Sequence, residues 1–161
     1  MRQLNLLDEL AGYDPVVIGT PPLGLDVANS DIDVACSAAD LADFERHAIQ
    51  QFSCFECFRA QRLLVRGEPT VLVRFRAHEW DFELFCQRLP TAQQWGVRHF
   101  RVERRLLDLL PGLRARVRAL RREGLKTEPA FARALGLSGD PYEAVAQLAE
   151  RSDGWLLERF S

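Results

Sequence analysis

Apolar positions recur along this chain with two different spacings, and the change from one to the other divides it. Leu4, Leu7, Leu10 and Ala11 return every three to four residues and predict an amphipathic helix that closes at Gly12. Val16-Val17-Ile18 is a β-branched run, read as a short buried strand that Gly19 ends before a loop over 20–24. From Ser30 the pattern alternates as Ser30-Asp31-Ile32-Asp33-Val34-Ala35. On a strand, Ile32 and Val34 would face a core and both carboxylates would face away from it. A helix from about 38 to 50 follows, capped by Ser37 or Asp40, with Leu41, Phe44 and Ala48 inward. Between Phe55 and Phe85 the period is two. Leu63-Leu64-Val65 runs to a turn at Gly67-Glu68-Pro69, and Val71, Val73 and Phe75 alternate with more polar neighbours. After a turn over 77–79, Trp80, Phe82 and Leu84 alternate against Asp81 and Glu83.

Beyond Gln87 the spacing becomes helical. Leu89-Pro90-Thr91 makes a break, with Thr91 the predicted N-cap of a helix through Gln93, Trp95, His99, Val102, Leu106 and Leu110. Pro111-Gly112 interrupts it, and Leu113, Val117 and Leu120 continue an apolar stripe to Gly124. Thr127 or Glu128 ahead of Pro129, and Asp140 ahead of Pro141, predict two further helix starts, because proline is tolerated in a first turn. Together these elements predict an α+β fold. Its small mixed sheet is built from the strands around Val16, Ile32, Leu64, Val73 and Leu84, with the early helices flanking it and a helical C-terminal half. The shift in composition sets the expected boundary between an α/β core over 1–90 and a helical region over 91–161.

Composition narrows the function classes. Of 161 residues, 47% are hydrophobic and 27% charged, an ordinary balance for a chain with a real core. A net charge of -2 and a pI near 5.9 argue against a nucleic-acid binder that relies on bulk electrostatics. No apolar run approaches eighteen residues, and Met1-Arg2-Gln3-Leu4 leads into a segment containing Asp8 and Glu9 rather than a signal peptide. The expectation is a cytoplasmic protein with no membrane partner. Cys54 and Cys57 form a C-x-x-C pair inside FSCFECF with no second pair to complete a zinc site, and Cys36 and Cys86 adjoin core strands. All four are read as thiols without a metal or redox task.

Candidate chemistry begins with Asp31 and Asp33, which on one strand face would stand about 7 Å apart and repel unless a cation lies between them. Mg²⁺, which takes hard oxygen ligands and keeps positions for substrate phosphates, is the expected ion. Upstream, backbone N–H groups at Gly19-Thr20 can form an anion-binding nest, and a nest beside a cation suits a nucleoside triphosphate with its metal. Arg98 and Arg101, with His99, open the helical region soon after the Glu83 strand and are the candidate phosphate contacts. The later arginines, from Arg104 to Arg122, are read as solvated helix surface.

The stretch VVIGTPPLGLDVANSDIDVA resembles the signature of the nucleotidyltransferase superfamily that includes DNA polymerase beta: an apolar strand, Gly-Gly or Gly-Ser, a gap, then Asp-x-Asp between apolar residues. The resemblance implies that Gly19 and Thr20 bind phosphate and that Asp31 and Asp33 bind metal. It also implies a third carboxylate on a later strand, which in FELF is Glu83, with Asp81 on the same face as the alternative. Thr20 stands where Ser is commoner and keeps the hydroxyl, and 20–29 contains no Lys or Arg. VIGTPPLG, SDIDVAC, FELF and GLKTEPAFARALGLSGDPY together resemble a family of small bacterial proteins of unassigned function placed with this fold, over about 12–148. The implied activity is transfer of a nucleoside monophosphate from an NTP to a hydroxyl, with Mg²⁺ held by Asp31, Asp33 and Glu83. The acceptor is left open among a small molecule, a protein and an RNA end. The alternative is a binding or interaction protein on a retained scaffold, suggested by Pro21-Pro22 and the absent basic residue.

Overall fold

The computed structural model describes residues 4–161, so Met1 to Gln3, used above in the signal-peptide reading, lie outside the described residues. In chain order the elements are α1 (Leu6–Glu9), β1 (Val16–Ile18), β2 (Ile32–Ser37), α2 (Leu41–Phe52), β3 (Glu56–Val65), β4 (Glu68–Ala77), β5 (Trp80–Gln87), α3 (Trp95–Leu109), α4 (Leu113–Arg122), α5 (Thr127–Leu135), α6 (Pro141–Gln147) and α7 (Asp153–Phe160). The first helix is one turn long and passes into a 3₁₀ turn over Ala11–Tyr13, shorter than its spacing predicts. No side chain caps it at Asn5, and a single uncapped turn gains too few hydrogen bonds to propagate.

By chain contacts the protein divides into two compact units, one of residues 1–19 and 30–97, the other of 20–29 and 98–161. The first unit contains a five-stranded mixed sheet in the order β1-β2-β5-β4-β3, with β2 and β5 parallel and the other pairs antiparallel. Two-residue turns, Arg66-Gly67 and His78-Glu79, join β3 to β4 and β4 to β5. All four residues have positive φ, as tight hairpin turns that match the strand twist require. One face of the sheet presents Val34, Val73, Phe75, Phe82 and Leu84 to Phe44, Ala48 and Phe52 of α2. The rings of Phe52, Phe75 and Phe82 stack in series at 5.0 Å. Asp40 starts α2, its carboxylate accepting from the Ala42 N–H at 2.8 Å. β3 is an edge strand, and Leu64 on it is 71% exposed.

β2 starts at Ile32, later than the alternation suggests, so Asp31 is the exposed residue just ahead of the strand. In the second unit, Val102, Leu106 and Leu110 continue the buried stripe of α3, joined by Leu113 and Val117 of α4 and by Phe131 and Leu135 of α5. Gly112, with φ 78, turns the chain between α3 and α4, and the Asp140 carboxylate caps α6 by accepting from the Glu143 N–H at 3.0 Å. Residues 20–29 contribute buried Leu23 and Leu25, and Arg114 donates to the Leu23 carbonyl. No described helix is long and apolar enough to cross a membrane.

Candidate active site

Because strand side chains alternate, the neighbours of Val34, Leu84 and Val73 point to the face away from α2. Register then lines them up. Asp33 of β2 lies opposite Glu83 of β5, Glu83 opposite Arg74 of β4, and Arg74 opposite Arg59 of β3, while Ile18 of β1 flanks Asp33 on the other side. One rung of the sheet thus carries two acids and then two bases. Arg74 Nε donates to Glu83 Oε2 at 2.6 Å. Asp81 is spoken for separately: Arg76 grips both of its oxygens at 2.8 and 2.7 Å, and that hydrogen bond holds its carboxyl below the ordinary range. The β2–β5 pairing begins at Ile32 and Phe82, so Asp81 has no partner on β2 and Glu83 does.

The Asp33 carboxyl is pushed up to about 7. Burial is the main cause, the charges of Asp31 and Glu83 add to it, and Arg74 opposes them. Its position depends on Gly19, which has φ 79. A Cβ there would come within 2.2 Å of Asp33 Oδ2, so only glycine leaves that oxygen its place. Gly19, Asp31, Asp33 and Glu83 are therefore brought together in the first unit. Thr20, Arg98 and Arg101 belong to the second. There Thr20 is buried, its carbonyl accepting from the Leu23 and Leu25 N–H groups at 3.1 and 3.0 Å, and Arg98 and Arg101 are exposed on α3. The first-unit group fits a hard divalent cation in chemistry: anionic oxygens whose mutual repulsion such an ion relieves, beside a position where no side chain intrudes. Arg74 stands in partial competition, since it already occupies one Glu83 oxygen.

Two pockets open beside the rung. One, of about 490 Å³, is bordered by Asp31, Arg59, Arg74, Asp81 and Glu83. The other, of about 450 Å³, is bordered by Asp33, Glu83, Arg66, Glu68 and Trp95, with the Arg66 guanidinium 3.9 Å above the Trp95 ring. Arg59, Arg66 and Arg74 were not singled out from the sequence. A signal existed for Arg74: it alternates with Val73 and Phe75, and pairing that strand with the next sets it against Glu83.

A second cluster lies in the second unit. His99, Glu103 and Glu128 bring one ligand atom each to within 4.8 Å of the others and could coordinate a divalent metal; they are the trio of this kind among the described residues. His99, grouped above with the phosphate-contacting arginines, is 3% exposed. Glu103 was not singled out, although its spacing of four from His99 places both on one helix face.

No curated protein matches the chain by sequence. The sequence profile of the family described as Domain of unknown function (DUF4269) matches residues 1–148. Among solved structures, the Cid1 poly(U) polymerase with MgGTP bound is similar with a TM-score of 0.55 and 12% identity, over 81% of this chain and 44% of that one. A chain of the GLD-2/RNP-8 complex gives 0.53 and 11%, over 96% and 70%. A cytoplasmic RNA terminal U-transferase gives 0.51 and 14%, over 81% and 40%. The chain thus spans less than half of the Cid1 chain. At these identities the likeness is one of fold: a mixed sheet flanked by helices with a helical C-terminal half, the nucleotidyltransferase-like architecture.

Proposed function

The chain belongs to the DUF4269 family, and from that premise we propose that it is a Mg²⁺-dependent nucleotidyltransferase, moving a nucleoside monophosphate from an NTP to a hydroxyl acceptor. The observation that carries the reading is Asp33 facing Glu83 on adjacent parallel strands, with Gly19 leaving room for the Asp33 carboxylate. Asp31, Asp33 and Glu83 would hold the metal, which supplies charge neutralisation at the phosphates. Backbone N–H at the turn that Gly19 makes would bind the β and γ phosphates. Glu83 orients the acceptor hydroxyl and takes its proton as that oxygen bonds to the α-phosphorus, the α–β P–O bond breaks and pyrophosphate leaves. Arg74 fixes the Glu83 rotamer through Oε2. The acceptor is a small molecule, a protein or an RNA end. The solved structures described as a poly(U) polymerase and an RNA terminal U-transferase make an RNA end the first to test. The same proposal assigns the catalytic core to 1–90 and a helical region to 91–161, in a cytoplasmic protein.

The test is calorimetric titration of each NTP with and without Mg²⁺ into wild type, Asp31→Asn and Asp33→Asn. Wild type is expected to bind in a Mg²⁺-dependent way, and both variants to lose that dependence with unchanged circular dichroism. Binding indifferent to Mg²⁺ in wild type, or no NTP binding, would refute the reading. A second reading, a binding protein on the same scaffold, is favoured by the Arg74 grip on Glu83 and by the absence of Lys and Arg from 20–29. It expects Mg²⁺-dependent binding without transfer.

A further inference from the structure

The trio of the second unit, with His99 and Glu103 buried and Glu128 half-buried, has no part in that reaction. His99 and Glu103 share one face of α3, and Glu128 lies in the first turn of α5. Glu103 is 5% exposed and its Oε1 is buried without a hydrogen-bond partner, and its carboxylate brings an oxygen to within 4.8 Å of a ligand atom from each of the other two side chains. Leaving a carboxylate so placed is costly unless a positive charge or a proton compensates it. Glu128 adds to the negative field there, and Arg121 opposes it. Arg121 is otherwise engaged: its Nη1 donates to the Leu125 carbonyl at 3.2 Å, and its Nε is buried without a partner. The Tyr142 ring stands edge-on to His99 at 6.5 Å.

We propose that His99, Glu103 and Glu128 bind one divalent cation of borderline character, Zn²⁺ in preference to Mg²⁺, tying α3 to the start of α5. An imidazole nitrogen with two carboxylate oxygens is a donor set that Zn²⁺ takes, three protein ligands leaving one tetrahedral position open. Mg²⁺ prefers oxygen alone and keeps several waters, and a buried site containing an imidazole offers neither condition. The ion meets the need of the unpaired Glu103 oxygen. This site involves none of the residues assigned to nucleotidyl transfer, so either proposal can fail without the other.

The experiment titrates the chelator-stripped full chain with Zn²⁺ and, in parallel, with Co²⁺. It is carried out in a Cys54→Ser/Cys57→Ser background, because that exposed cysteine pair is the competing thiolate site. One equivalent should bind, with a higher melting temperature and Co²⁺ ligand-field absorption free of thiolate charge-transfer bands. Millimolar Mg²⁺ should not displace it. Glu103→Gln and Glu128→Gln should each lower Zn²⁺ affinity by at least about 100-fold, more than losing an outer hydrogen-bond partner of a metal ligand costs. If Glu103→Gln fails to give a native near-UV spectrum, Glu128→Gln decides. Absence of a saturable equivalent, binding that disappears with the cysteines, or affinity unchanged in the folded Gln variants would each overturn the proposal and leave Glu103 a buried protonated acid.

Discussion

Asp33 shows how the placement of one carboxyl can cost a folded protein stability. Burial and two neighbouring acids lift its carboxyl from the ordinary 3.8 to about 7. Between those values the folded protein binds the proton more tightly than the unfolded chain does, so stability falls as pH rises through the window, and the full penalty is present above it. At about 1.4 kcal/mol per pH unit the ceiling is about 4 kcal/mol, and relaxation of this half-buried group brings the expected effect to about 1–2 kcal/mol. Asp33→Asn should accordingly raise the metal-free melting temperature by roughly 3–6 °C at pH 8 and leave it unchanged at pH 4. Differential scanning calorimetry at the two pH values is the check. A lower melting temperature at pH 8 would mean that the carboxylate holds the fold together rather than waiting for a cation.

At the scale of elements, the site depends on register. Glu83 faces Asp33 and Arg74 only because the β4–β5 hairpin closes at His78-Glu79, and a slip of one residue would turn Glu83 into the core beside Phe75. That turn is built from two residues with side chains at φ 49 and 67, where Asn-Gly is the preferred pair. His78→Asn with Glu79→Gly relieves the strain, and a gain of about 0.5–1 kcal/mol is expected. It would be read as a higher urea midpoint at unchanged slope. An unchanged or lower midpoint would show that the turn is not under strain. Such features explain what the sequence could and could not tell. The strand at Val16, the alternation through Val71-Val73-Phe75 and the caps at Asp40 and Asp140 are local signals, and each is visible in the chain. The Arg74–Glu83 pair is not local, since it depends on which strands become neighbours. Nor could spacing tell that Leu64 would lie on an edge strand, or that Asp31 would fall just before β2.

For the whole molecule, the mixed sheet and helical C-terminal half place the chain in a nucleotidyltransferase-like architecture, as the family resemblance of the Gly19-Thr20 and Asp-x-Asp stretch implies. The burial of Glu103 was hidden because the polar positions of α3 look like a solvated face, and only packing reveals which of them are covered. Fold and carboxylates together suit both an enzyme and a binding protein, and in the proposed mechanism the difference between them rests on Glu83. Two carboxylates suffice to hold a metal–nucleotide complex, whereas transfer also needs the acceptor oxygen deprotonated and in line with the leaving pyrophosphate. The most direct test incubates wild type and Glu83→Gln with each α-³²P-labelled NTP and Mg²⁺, offering RNA ends, proteins and small-molecule fractions as acceptors. The account predicts label transferred by wild type, turnover lowered by about 100-fold or more in Glu83→Gln, and NTP affinity within a few-fold of wild type. Transfer at the same rate in the variant, or no transfer from any nucleotide despite Mg²⁺-dependent binding, would contradict it.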